Sequence, residues 1–399
     1  MCRCSEINDD NVHLQAIKVL LTAITSSHCE VHEATLLLAI QACFHIHLVS
    51  KNPINKITAK AALTQMVSNT VARMEILHQV IMMDGKKGSS DSMKSTMSSS
   101  EGSPFPTPTH KDCFLIFRAL CKLSMKGVQA DFDSQASKAG LGGDFDSNAL
   151  AIQNKMLSLE LILIILKKSG EAFRTGDKFV DAIRKYLCMS LLGNCTSQVT
   201  VVTGLSLQIF VSLMDGFKEH LKTEFEVFFT SVFIKILESE NSTHDQKQRV
   251  LEVFHCICKD STNLLEFFVN YDCDLDSTDI FKRIVDGYSR IVKASGTDRS
   301  EAGSGPNVAS RLKEEEDLRW KGLEGLVMIL QSLLQLKGLQ DVTVGMVADA
   351  HTPSTSHSQH GGTGVGGGEK EKEEEETASP PLGSPMDGSS SSISSSSSS

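Results

Sequence analysis

Val12, Leu14, Ile17, Leu20, Leu21 and Ile24 recur every three or four residues, which sets them along one face of a helix over residues 12–25. Ser26 and Ser27 interrupt the pattern. A second helix is expected over 30–49, where Leu37, Ile40, Phe44 and Leu48 keep step. Ser50-Lys51-Asn52-Pro53 then reads as a stop and turn, because a proline disfavours helical geometry at the residue before it. A third helix, over 57–82, carries Ala61, Leu63, Val67, Val71, Met74 and Leu77. Three helices on short connections predict an all-α, armadillo- or HEAT-like solenoid of stacked helical hairpins, without a strict sequence period.

Residues 85–109 change to Gly, Ser, Lys and Pro and cannot bury enough apolar surface to offset their ordering entropy, so a disordered linker is expected there. Helix resumes at Asp112 with the stripe Cys113, Phe114, Phe117, Leu120, Cys121 and Leu123; 126–147 reads as a loop. The next helix, 149–168, is apolar on nearly all sides from Leu161 to Leu166, which predicts a place in the middle of the stack. Gly176 and Asp177 open another, with Asp177 as candidate N-cap, running to Leu192. Helices over 199–214, 218–238, 244–259 and 276–293 follow, with a turn at 264–269. In the second of these Leu221, Phe225, Phe228, Phe229, Val232, Phe233 and Ile236 share one broad face, and Phe225→Ala is expected to be its most costly change. One more helix is expected over 314–336, and from Gln340 the chain turns Gly-rich, acidic and finally almost pure Ser, a tail predicted to be disordered.

Aromatic residues make up only 6% of the chain, so aliphatic side chains must fill most of the core, as helix-on-helix packing allows. The formal net charge of −10 excludes a general nucleic-acid binder, which needs a basic face. Eleven cysteines without a regular framework, and no apolar stretch behind Met1, predict reduced thiols in the cytoplasm. The longest wholly apolar run, Leu161 to Leu166, is far short of the roughly 20 residues that span a bilayer.

Candidate chemistry is sparse. Asp272-Cys273-Asp274-Leu275-Asp276 starts like a calcium loop, but Ser277 and Arg283 stand where that loop needs Gly and Glu. His45 and His47, two apart on a helix, point in different directions and cannot share one ion. The glycines of 364–370 lack the Gly-Lys-Ser/Thr ending of a phosphate loop. No catalytic, cofactor or metal site is expected. Asn270-Tyr271-Asp272-Cys273-Asp274 reads, on physical grounds, as a turn at a helix end whose carboxylates cap backbone amides.

That pentapeptide also resembles the HUS box (homology upstream of the Sec-seven domain) of large Arf guanine nucleotide-exchange factors. The 176–293 stretch resembles the HUS domain of their brefeldin A-inhibited branch. The runs Phe114-Leu115-Ile116-Phe117-Arg118-Ala119-Leu120-Cys121-Lys122-Leu123-Ser124 and Tyr186-Leu187-Cys188-Met189-Ser190-Leu191-Leu192 are similar to it as well. Residues 55–75, with Thr58-Ala59-Lys60 and Leu63-Thr64-Gln65-Met66, resemble the end of the family's dimerisation and cyclophilin-binding (DCB) domain. The resemblance implies a DCB part over 1–84, a linker over 85–110 and a HUS domain over 111–293. A loop at 294–313, a helix at 314–337 and the tail at 338–399 would follow.

It further implies a regulatory scaffold in Golgi vesicle-mediated transport. The partners would be Arf-family and related small GTPases, a second copy through DCB and HUS, and the peripheral Golgi membrane, with no nucleic acid. Tyr271, Asp272 and Asp274 would stabilise an internal DCB–HUS contact and Asn270 would hold the turn, with Cys273 the remaining member of the box. The family's upstream DCB helices and its Sec-seven signature have no counterpart here, so exchange by this chain alone is not expected. A DCB part short of helices is expected to expose apolar surface and self-associate. The alternative reading is a stand-alone trafficking scaffold of the Mon-two kind.

Overall fold

Asp9 accepts the amides of Asn11 and Val12 at 2.9 and 3.0 Å and so caps the first helix, α1 (Asp10–Thr25). The computed structural model describes residues 2–7, 9–26, 28–86, 104–133, 144–293 and 306–350; these contain no β-strand. Beyond α1 come α2 (Glu33–Val49) and α3 (Pro53–Lys86). Pro53 ends one helix but also begins the next. Asn52 takes the amide of Ile54 at 2.9 Å, and Pro53 occupies the first turn, where its missing N–H costs nothing. Helix α3 therefore starts at 53 rather than 57. Asn55, buried, donates to the Asp10 carbonyl at 2.9 Å and ties α3 to α1.

The same chemistry moves the start of α4 (Pro108–Asp133) ahead of the expected Asp112: Thr107 caps, and Pro108 leads. Thr109, assigned to the linker by composition, and His110, the last residue of the linker the resemblance implied, are buried. Of that linker, 87–103 lies outside the described residues, as do 134–143 of the expected loop, 294–305 of the next and 351–399 of the tail. Helix α5 (Asp144–Lys168) packs against α4, α9 (Thr200–Phe217) and α3, with Leu161, Ile162, Leu163, Ile165 and Leu166 buried. Both α5 and α9 are long and apolar enough to cross a membrane once a few polar residues are tolerated; here they face each other in the core.

Between them run α6 (Glu171–Thr175), α7 (Asp177–Ala182) and α8 (Cys188–Asn194), the last two joined by a π-helical turn at Ile183–Leu187. Asp177 does not cap: it is the first helical residue, Gly176 holds the cap position, and no side chain bonds there. A buried polar knot ties α4 to α8. Ser124 and Ser190 hydroxyls lie 2.7 Å apart, and Asn194 donates to Ser190 Oγ at 3.0 Å and to the Ser124 carbonyl at 3.3 Å.

The phenylalanine helix is α10 (Lys222–Phe228), a π-helical turn (Phe229–Phe233) and α11 (Ile234–Glu238). Phe210 of α9 is the hub of its packing, edge-on to Phe225, Phe228, Phe229 and Phe233 at centroid distances of 4.7 to 5.8 Å. Helix α12 (His244–Lys259) opens with a capping box, Gln246 N–H to Thr243 Oγ1 at 3.2 Å and Thr243 N–H to Gln246 Oε1 at 3.0 Å. Where a turn was expected, α13 (Ser261–Phe267) is helical, capped by Asp260. The first four residues expected of the next helix stay outside α14 (Ile280–Lys293). The final helix, α15 (Pro306–Ala350), overruns the expected 314–336 at both ends and continues where the tail was expected to begin. Its Arg311–Asp317 stretch has no apolar stripe, yet Lys and Glu are good helix formers.

Candidate functional site

The pentapeptide sits where α13 ends. From Phe268 to Asp272 the helix widens into a π-helical turn, with the Cys273 amide on the Phe268 carbonyl at 3.0 Å. Widening turns Tyr271 inward: it is buried, its ring lies 5.4 Å from that of Phe267, and its hydroxyl donates to the Lys222 carbonyl at 3.1 Å. Burial, then Glu226 and Glu224, pushes its phenol well above the usual value.

Asp272 reaches forward, accepting the amides of Phe281 and Lys282 at 2.8 and 3.0 Å, and thereby caps α14 from nine residues away. Asp274 accepts the Asp276 amide at 3.1 Å and meets Lys222 Nζ at 2.7 Å and Ser277 Oγ at 3.2 Å. The Lys222 bond, more than those from the Asp276 amide and Ser277, holds its carboxyl below the ordinary range. Glu226 takes both the amide and the hydroxyl of Thr278, at 2.9 and 2.7 Å. The 273–279 loop is thus stitched to α10 at two points, while Asp272 just before it holds the start of α14. Asn270 and Cys273 are exposed.

Two hollows flank this turn. One, about 330 Å³, is lined by Lys218, Lys222, Phe267, Asn270 and Tyr271 among others; the second, about 380 Å³, by Phe268, Asp272, Phe281, Lys282 and Val285. Leu265, Phe268, Val269 and Leu275 stand largely exposed around them. Such a surface offers shape and apolar contact, with lysines and carboxylates at its edges.

All the polar partners described for the pentapeptide come from residues 222–282. The N-terminal helices meet the rest elsewhere, through the shared apolar core of α2 to α5 and through carboxylates that sequence reasoning did not single out. Glu75 of α3 accepts the amides of Gly170, Ala172 and Phe173 at 2.8, 3.0 and 3.2 Å, satisfying the orphan donors at the start of α6. Asp112 of α4, buried, accepts the Glu33 amide at 2.6 Å and lies 2.5 Å from His32 Nδ1, at the start of α2. Glu33 is held there at a φ of 52°, in the left-handed region. Lys60 pairs with Glu160 at 2.6 Å and Lys111 with Glu33 at 2.7 Å. Nothing in sequence spacing announces these pairs, because each joins residues scores of positions apart.

Residues 109–280 match the family description "Mon2/Sec7/BIG1-like, HUS domain", and 1–77 match "Mon2/Sec7/BIG1-like, dimerisation and cyclophilin-binding domain". The chain is 29% identical to the rat brefeldin A-inhibited guanine nucleotide-exchange protein 1, across 84% of this chain and 26% of that protein. It is 27% identical to the brefeldin A-inhibited guanine nucleotide-exchange protein 3 of Arabidopsis thaliana, across 92% and 25%. Against the ADP-ribosylation factor guanine nucleotide-exchange factor sec71 of Schizosaccharomyces pombe it is 29% identical, across 74% and 18%. The chain spans about a quarter of the length of the curated relatives it matches, or less. With both domains present in order and together taking in more than half of the residues, the chain belongs to the Mon2/Sec7/BIG1-like family.

Proposed function

We propose that this chain is the regulatory N-terminal region of an Arf guanine nucleotide-exchange factor in Golgi vesicle-mediated transport, acting through protein–protein contact. In this reading 1–84 serve as the DCB part and 111–293 as the HUS domain. Their partners are Arf-family and related small GTPases, a second copy of the chain, and the cytoplasmic face of the trans-Golgi membrane. Exchange itself is assigned to no residue here. The observation that carries the reading is the pair of family domains on one chain, clamped by Glu75 and Asp112 through backbone amides. That the similar proteins quoted are exchange factors by name favours it over a stand-alone scaffold.

Within that region Tyr271, Asp272 and Asp274 act as positioning residues that fix α14 and the 273–279 loop on α10. Asn270 and Cys273, exposed beside the hollows, are the members placed to meet a partner. Any effect of the box on the DCB–HUS contact is therefore transmitted through the stack, since its own bonds stay within the HUS domain.

The test is the fluorescently tagged chain in cells, beside a Glu75→Ala/Asp112→Ala variant. Accumulation on trans-Golgi structures, lost in the variant, is the expected result. A uniformly cytosolic wild type contradicts the recruitment reading. Acceleration of nucleotide release from Arf by the purified chain contradicts the assignment of exchange elsewhere.

A further inference from the structure

Helix α15 carries two apolar faces, and only one of them is used. The used face is built from small residues that let the helix approach α12 and α14 closely. A Cβ on Gly325 would lie 2.3 Å from the Tyr288 ring, and one on Gly322 3.0 Å from Val292. Ser332 donates to the Cys258 carbonyl at 2.6 Å, and Ile329 is buried. On the other side Trp320, Leu323, Val327, Leu330 and Leu334 are 65, 41, 50, 61 and 68% exposed. Their spacing of three, four, three and four residues is the a/d seam of a coiled coil, not the wider stripe of a core helix. The seam lies past residue 280, where the HUS match ends, so it goes beyond the exchange-factor reading.

What covers such a seam is decided by the residues that continue it. At the same spacing Glu316 precedes Trp320 and Lys337 follows Leu334, both exposed. Two copies running parallel would set Lys337 against Lys337 inside the seam, like charges in a partly dry contact. Two copies running antiparallel would set Val327 against Leu330 and Leu323 against Leu334. Each end would then close with Lys337 over the face of Trp320, an attraction between a cation and the indole ring. The antiparallel arrangement maps the seam onto itself about a two-fold axis, as an isologous dimer contact requires.

We propose that α15 pairs antiparallel with α15 of a second copy through the Trp320–Lys337 seam. The substitutions that test this fall on side chains that are half or more exposed, so the fold tolerates them. Leu330→Glu places a carboxylate opposite Val327 in each of two layers and should turn the dimer into a monomer while leaving the helical signal of the folded chain unchanged. Adding Val327→Lys restores the pair only in the antiparallel register, where residue 327 faces residue 330 of the partner.

The experiment is sedimentation velocity on the full chain, on Leu330→Glu and on Val327→Lys/Leu330→Glu, with a circular-dichroism melt of each. Expected masses are twice, once and twice that of the chain, with the double variant reverting to monomer in high salt. A monomeric wild type overturns the proposal. So does a dimer that survives Leu330→Glu, which would place self-association on another surface and leave the proposed function intact. A double variant that stays monomeric overturns the antiparallel register.

Discussion

Glu75 and Gly170 are 95 residues apart in sequence and share a hydrogen bond of 2.8 Å from the Gly170 amide to the Glu75 carboxylate. The same carboxylate takes two further amides, so one side chain of α3 finishes a helix that belongs to the other domain. The approach is close: a Cβ at 170 would lie 2.5 Å from Glu75 Oε2, so the carboxylate would have to shift. Glu75→Ala should cost about 2–3 kcal/mol, since three amides lose a charged acceptor. Gly170→Ala should cost about 1–2 kcal/mol by pushing that carboxylate aside. Combined, they should cost clearly less than the sum, because the methyl fits once Glu75 is gone. Urea unfolding of the four species checks it; strict additivity would mean the two do not communicate.

Asp112 and its neighbour Lys111 both reach α2, with very different consequences. Asp112 is buried and holds the Glu33 amide and His32; Lys111 meets the Glu33 carboxylate in solvent. Asp112→Ala is expected to lose about 2–3 kcal/mol, because the Glu33 amide and His32 both lose a charged acceptor. Lys111→Ala should lose less than about 1 kcal/mol, as exposed pairs do. Equal losses in thermal or urea unfolding would contradict this ranking.

The periodic apolar residues carried most of the fold in plain view: α1, α5 and α12 form where their stripes lie. Boundaries failed at two prolines. Pro53 read as a stop and Pro108 fell in the expected linker, yet each opens a helix, because a proline's lost amide is harmless in the first turn. Helix α6 is five residues long, too short for any period to register. The pentapeptide was legible as a capping turn, and Asp272 does cap α14. Glu75 and Asp112 were invisible because their partners are backbone amides, which every residue offers alike; only the tertiary path brings them within reach.

The aromatic cluster ranks its members differently from the helix pattern. Phe225 has one ring neighbour, Phe210, whereas Phe229 meets Phe210, Phe233, Phe254 and Phe267. Phe229→Ala should therefore cost more than Phe225→Ala within the usual range of about 3–5 kcal/mol for such truncations. Chemical denaturation of both variants decides the order, and a larger loss at 225 would return the weight to the single-face view.

Within the pentapeptide, Asp272→Ala should destabilise the start of α14 by about 1–2 kcal/mol, the usual worth of a lost cap. Asp274→Ala should do less, and its effect should fade in high salt, since its ion pair with Lys222 is open to solvent. Hydrogen exchange at the Phe281 and Lys282 amides separates the two: faster exchange in Asp272→Ala alone is expected.

His110 makes the interface between α3 and α4 sensitive to acid. It is buried, its Nδ1 lies 2.7 Å from Thr107 Oγ1, and its Nε2 has no partner. Burial, with the tilted His78 ring nearby at 5.6 Å, lowers its pKa from 6.5 to about 4. Between those values the unfolded chain binds a proton that the folded chain refuses. Its contribution to stability is thus complete above pH 6.5 and is lost as pH falls towards 4, by about 2–3 kcal/mol at most. His110→Gln removes the titration while keeping a polar group beside Thr107. A urea series from about pH 7 down to pH 4.5 should show a shallower decline in the variant than in the wild type. Parallel declines would mean that the acid sensitivity arises from other groups, since only a residue that titrates between the folded and unfolded values can set that slope.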